Sequence, residues 1–438
     1  MSATSAAVRS PSPSPSPAAA RSGDVAAPEW LVARRREALA HFEGAGYPTR
    51  HDEDWHYTSV SAIADSHYAP VPKRRHDAEV HEPRHAPLVE PVVVLVDGEV
   101  DLERSRLDAV PHGLTVRTMA EALSAGDDLV RKHLTTLAPP DRDAFTALNT
   151  AHFRDGVVIE VANDAEVNEP LHVLHLVSAS AMGAQVTPRL LIVAGRNSRS
   201  TVLETFSGPD DARYFTNAVT EVALEDGATL YHARIQQEGA SAHHVGTVEV
   251  TQARDSHFVS FSFAAGAALS RANIHTVLAG PGCGATLNGL YMLDGDQHCD
   301  HQTRIEHSQP DTFSRELYKG ILDGASHGVF NGKVYVHPVA QKTDGKQTNN
   351  TLLLSPKAQI DTKPQLEIFA DDVKCTHGAT VGQLDETATF YMKSRGVGAA
   401  MTRQLLTYAF AAEVLETIEH EALRDGLEAL ALERYTTV

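Results

Sequence analysis

Cysteine is scarce in this chain: 438 residues hold three, Cys283, Cys299 and Cys375. The number is odd and no CxxC pair occurs, which excludes a disulfide framework and favours a reducing compartment. Positive charge is also short. Lysine plus arginine number 38 against 57 aspartate plus glutamate, a net charge of -19, and a general nucleic-acid binder needs the opposite balance to neutralise phosphates. No apolar run reaches the ~18 residues of a membrane-spanning helix. The opening MSATSAAVRSPSPSPSPAAARSG lacks the apolar core of a secretory signal and alternates Ser with Pro, so residues 1–27 read as a disordered tail on a cytoplasmic protein. With no G-x-x-x-x-G-K-[ST] loop, the chain is not expected to bind or hydrolyse nucleotide itself.

What is present divides by texture. Residues 28–152 read as a mainly helical, mixed domain. Pro28-Glu29-Trp30 opens a helix with Trp30, Ala33, Leu39 and Phe42 as its apolar stripe and Gly44 and Gly46 as its stop. The aromatic and acidic cluster His51 to Thr58 is expected to anchor helix packing through its large rings. Pro70 to Pro87 reads as a loop, Pro91 to Val96 as a buried strand ended by Asp97-Gly98, and Met119 to Leu123 and Asp128 to Leu137 as helices.

Residues 153–383 change to short strands separated by similar turns. The small closing residues of these turns stand at Ala165, Ser198, Ala228, Ser256 and Ala285, a loose period near thirty. That spacing predicts the coils of a parallel β-helix, with a β-sandwich as the alternative. Lys357-Ala358 is expected to continue the series, with Asp323-Gly324-Ala325 out of phase. Residues 384–438 read as a helical domain, its helix from Ala399 to Leu415 carrying Met401, Leu405, Tyr408, Ala412 and Leu415 on one face.

Chemistry concentrates at Lys374-Cys375-Thr376-His377. On a strand, residues two apart share a face, so Cys375 and His377 present a thiol and an imidazole side by side. These are soft-metal ligands, suited to zinc or iron-sulfur clusters. Two donors do not complete a site, so a labile or shared one is implied; buried packing of the same pair is the structural alternative. Gly324-Ala325-Ser326-His327-Gly328 matches the serine-hydrolase elbow, but a strand-like stretch follows it where that motif needs a helix. In Asp296 to Thr303, with His307 beyond, alternate residues point to opposite faces of a strand, which argues against one metal site.

Four blocks together resemble the SufD subunits of the SufBCD iron-sulfur cluster assembly machinery, within the SufB/SufD superfamily. They are Asp300-His301-Gln302-Thr303-Arg304-Ile305-Glu306-His307, Ser314 to Leu322, Gly345 to Ser355, and Lys363 to Ile368 running into Asp372 to Gly382. The first three are superfamily features. The Lys374 to Thr380 run points to SufD, with threonine at 376 where serine is usual, and the further cysteines of SufB-like chains are missing.

The resemblance implies a mostly β fold, a right-handed parallel β-helix between helical ends. It implies a non-catalytic scaffold subunit that contributes His377 and Cys375 to a transient iron-sulfur cluster. The implied partners are a SufB-like subunit, or a second copy, through the last coils and a SufC-like ABC ATPase through the C-terminal helices. The alternatives are a SufB-like scaffold and, from another class, a β-helical enzyme acting on polysaccharide.

Overall fold

The computed structural model describes residues 27–71, 79–80, 83 and 89–434; the Ser/Pro tail and most of the Pro70–Pro87 loop lie outside the described residues. Eight coils stack into a parallel β-solenoid. Each coil lays one strand in a first sheet and the next in a second, from Gly156–Val161 and Leu171–Leu176 in the first coil to Gln359–Ile368 and Lys374–Gly382 in the eighth. Neighbouring coils pair parallel and in register, as in His298↔His327 through His307↔Val336. A sandwich built of antiparallel hairpins is thereby excluded.

The corners explain the period. Asp164, Asn197, Gly227, Asp255 and Gly282 have positive φ between 54° and 76°, each where the chain turns from the first sheet to the second. Only glycine enters that region freely, with asparagine and aspartate the next most tolerant, so these residue types recur at this corner through the first five coils and again as Asp311 in the sixth, before Lys342 (φ 67°) takes the place in the seventh. Lys357-Ala358 does not continue that series, which corrects the expectation. It lies with Asp323-Gly324-Ala325 at the opposite corners, where the second sheet returns to the first. There Ala325 N–H donates to Gly295 O at 2.7 Å and Gln359 N–H to Ser326 O at 2.9 Å. Two interleaved sets of turns account for all of them.

The two ends of the solenoid differ. Strand Val92–Val96 pairs parallel with Leu171–Leu176 and antiparallel with Glu99–Arg106, while Leu114–Thr118 runs antiparallel on Gly156–Val161. The parallel coils are thus covered at this end by the antiparallel strands Glu99–Arg106 and Leu114–Thr118, which are the outermost strands of the two sheets. At the other end no strand among the described residues pairs beyond Gln359–Ile368 or Lys374–Gly382, which leaves both sheets with a free edge.

In helix Glu29–Ala45 the buried stripe is Leu31, Ala38 and Phe42, not the expected set. Gly46 (φ 71°) ends it by donating its N–H to Phe42 O, whereas Gly44 stays inside the helix. Helix Asp128–His133 stops short of Leu137. Helix Ala144–His152, capped by Asp143, has no counterpart in the sequence reading.

The C-terminal helices cover the outer face of the second sheet. Ala411, Val414, Leu415, Leu423, Leu427 and Leu430 pack on Ala233, Ile235, Phe261, Phe263, Leu290, Met292 and Ile321. In helix Ala399–Leu415 the side turned to the sheet carries Thr407, Ala411, Val414 and Leu415, while Met401 and Leu405 are exposed. Helix Glu386–Ser394, capped by Asp385, buries no residue and exposes Phe390 and Tyr391.

Candidate functional site

Strand Lys374–Gly382 carries Cys375 and His377 at the free edge of the second sheet, where Cys375 pairs with Gly345 and His377 with Gln347. Their parity is that of Ser314 and Glu316, the side that faces the solenoid interior. Cys375 is half-buried against Val334, Val336, Ala340 and Ala370. Gly345 leaves its sulfur room, since a Cβ there would stand 3.3 Å from Cys375 Sγ. Burial, with Asp344 nearby, raises the thiol above its usual 9.0, against an opposing hydrogen bond from the Gly345 backbone. At neutral pH it is a thiol, and binding a metal would require that the metal draw off the proton.

His377 is exposed. Its rung continues inward through Gln347 to Glu316, both buried. Gln347 Nε2 donates to Glu316 Oε2 at 2.7 Å, while Gln347 Oε1 is buried without a partner. Gly332 makes the space for that amide, because a Cβ at 332 would fall 2.0 Å from Gln347 Nε2. Glu316 and Gln347 lie within two of the blocks that carry the resemblance, but neither is singled out there as a site residue. Their signal is spacing: Glu316, Gln347 and His377 are one coil apart each, and in a solenoid that separation is a contact.

The other cysteines are inert by placement. Cys299 is fully buried and its thiol is pushed up to about 12; burial raises Cys283 as well, and its sulfur donates to Ala253 O at 2.8 Å. Among the described residues no cluster of three or more His, Cys, Asp or Glu is arranged to hold a metal ion. The pair at 375 and 377 therefore offers two donors, which fits a site completed from elsewhere.

The Asp300-to-His307 block splits by face. Cys299 and His301 point inward, 3.6 Å apart. Asp300 points outward, paired with Arg271 at 2.5 Å and accepting from Thr58 Oγ1 at 2.5 Å. Arg271 also stacks 3.6 Å over the Trp55 ring and donates to Asp54 O. The His51-to-Thr58 cluster is thus an anchor, and Glu53 reaches the last coil through Lys363 at 2.9 Å.

Ser326 is fully buried at a corner, donates to Asp323 O, and is followed by strand His327–Val336, so it is no hydrolase nucleophile. A groove of about 820 Å³ beside the end of the last helix is lined by Asp210, Glu238, Asp294, Asp296 and Glu433 but by no aromatic ring. A polysaccharide-acting enzyme would need stacking surfaces there, and that alternative gains no support.

Comparison with known proteins gives the family. The family model for the SufBD core domain of the SUF system for FeS cluster assembly matches residues 176–410, and that for the SufBD protein N-terminal region matches residues 23–173. The iron-sulfur cluster assembly protein SufD of Escherichia coli is 32% identical over 390 residues, covering 88% of this chain and 88% of its own length. An iron-sulfur cluster assembly SufBD family protein of Synechocystis is 30% identical over 406 residues, 91% and 89% of the two chains. The assembly protein SufB of Bacillus subtilis is 23% identical over 401 residues, 87% and 84% of the two.

Proposed function

The chain belongs to the SufBD family of iron-sulfur cluster assembly proteins, and from that premise we propose that it is a SufD-like scaffold subunit with no catalysis of its own. His377 and Cys375 contribute two ligands to a nascent iron-sulfur cluster, which is cargo, and a second chain contributes the rest. That chain is a SufB-like subunit, or another copy of this one, joined along the open eighth coil. A separate SufC-like ABC ATPase docks on the C-terminal helices and supplies the energy, and the complex works in the cytoplasm.

The observation that carries the reading is the position of the pair. Both residues sit at interior-facing positions of a strand whose outer edge is free, so a partner strand added there would bring its own donors to the same cavity. Incompleteness suits the task, because a cluster enclosed by four thiolates of one chain would be held rather than passed on.

The test is anaerobic reconstitution of the complex copurified with a SufB-like and an ATPase partner, with iron measured per folded complex. His377→Ala should leave assembly intact and sharply reduce iron, whereas Ser326→Ala should leave iron per folded complex unchanged. Full iron loading of folded His377→Ala complex would overturn the ligand assignment.

A further inference from the structure

We propose that Gln347, held by Glu316, is a positioning residue for His377: its amide oxygen accepts the imidazole N–H, fixing one tautomer and leaving the other ring nitrogen bare toward the cluster. The inference rests on the ligand reading of His377 given above.

Three observations converge on it. The register places Glu316, Gln347 and His377 on consecutive rungs of the same interior-facing row. The Glu316 carboxylate, when ionised, only accepts, and it takes Nε2 at 2.7 Å, which turns the other end of the amide away from it. The oxygen is thereby directed elsewhere, and it is buried with no partner among the described residues. A buried carbonyl left unpaired loses its water without replacement, so such a group marks a position where a donor is wanted. The adjoining rung on the open side is His377, whose ring enters no hydrogen bond or ion pair among the described residues.

The chemistry fits the need. A neutral imidazole carries one N–H and one lone pair, and a ligating histidine is oriented by whatever accepts the N–H. An amide oxygen can only accept, so it selects the protonated nitrogen without adding charge. Glycine at 332 belongs to the same device, since any side chain there would displace the amide.

The test uses the full chain labelled with ¹⁵N-histidine, the His377 signals being identified by their loss in His377→Ala. In the wild type, one His377 nitrogen should be fully protonated and the other bare. In Gln347→Leu, and in Gln347→Met should the first fold poorly, the two resonances should move toward each other as tautomers mix. Iron affinity of the reconstituted complex should fall by about 10- to 100-fold. Unchanged His377 resonances in the folded variants would overturn the proposal, and a lowered melting temperature with unmoved resonances would assign Gln347 a packing role instead. If His377→Ala loads iron fully, the ligand reading fails, while the resonances of the metal-free chain still decide the hydrogen bond.

Discussion

Gly345 faces Cys375 across one rung of the second sheet, and the thiol crowds the position that a Cβ at 345 would take. The separation of 3.3 Å between a Cβ built at 345 and Cys375 Sγ is tighter than ordinary contact, so one side must yield. Ser314 Oγ at 3.4 Å and Val334 hold the glycine's side in place, whereas Cys375 lies on a free edge. Gly345→Ala should therefore push the sulfur outward at little cost in stability. Labelling of Cys375 by a soluble thiol reagent should become severalfold faster, with Cys375→Ser as the blank. An unchanged rate would mean that the strand absorbs the methyl without moving the thiol.

Arg271 and Asp300 form a buried pair that joins the His51-to-Thr58 cluster to the outer face of the first sheet. Removing one member leaves the other charged and desolvated, which costs about 3–5 kcal/mol. Asp300→Ala should lose that much stability in denaturant unfolding. It should also alter Trp55 fluorescence in the native baseline, because the guanidinium stacked on the indole loses its counter-charge. A loss under 1 kcal/mol would show that water reaches the pair.

The C-terminal helices do two separable things. Leu427 is fully buried beneath them, and Leu427→Ala should cost about 2–5 kcal/mol. Deleting residues 384–438 would uncover Ile235, Phe261, Phe263 and Leu290 together, so the truncated solenoid should aggregate rather than report on partner binding. Paired Phe390→Ser and Tyr391→Ser changes avoid this, because both rings are exposed. They should leave the melting temperature within a degree or two and weaken copurification of the ATPase if that helix takes part in docking. Full copurification would place docking elsewhere.

The solenoid was legible because its corners are local: Asn197, Gly227 and Asp255 adopt positive φ, and that need writes itself into residue type through the first six coils. The pair at 375 and 377 was legible for a similar reason, since strand parity is a two-residue rule. Features that depend on a neighbour were not. Helix Ala144–His152 buries Thr146, Asn149 and Thr150, a polar face that pays off only when Asn149 reaches Pro188 O and Asn217 O. Helix Ala399–Leu415 is apolar on several sides, and the sheet beneath it decides which side is covered. Gln347 and Glu316 meet only through the stacking of coils.

Glu316 provides a stability test that is independent of any metal. It is buried, and desolvation raises its carboxyl from the usual 4.5 to about 7, against opposing hydrogen bonds that include the one from Gln347. The folded chain thus holds this proton more tightly than the unfolded chain does. Its contribution is fully present below pH 4.5 and is lost as pH rises through about 7. The gap between the two values corresponds to on the order of 3 kcal/mol. Glu316→Gln keeps an acceptor for Gln347 and cannot ionise. At pH 5 the two proteins should therefore unfold at similar denaturant concentrations, and at pH 8 the variant should be the more stable, the difference opening between about pH 5 and 8. Parallel curves across that range would mean that Glu316 titrates near its ordinary value and that water enters the last coils.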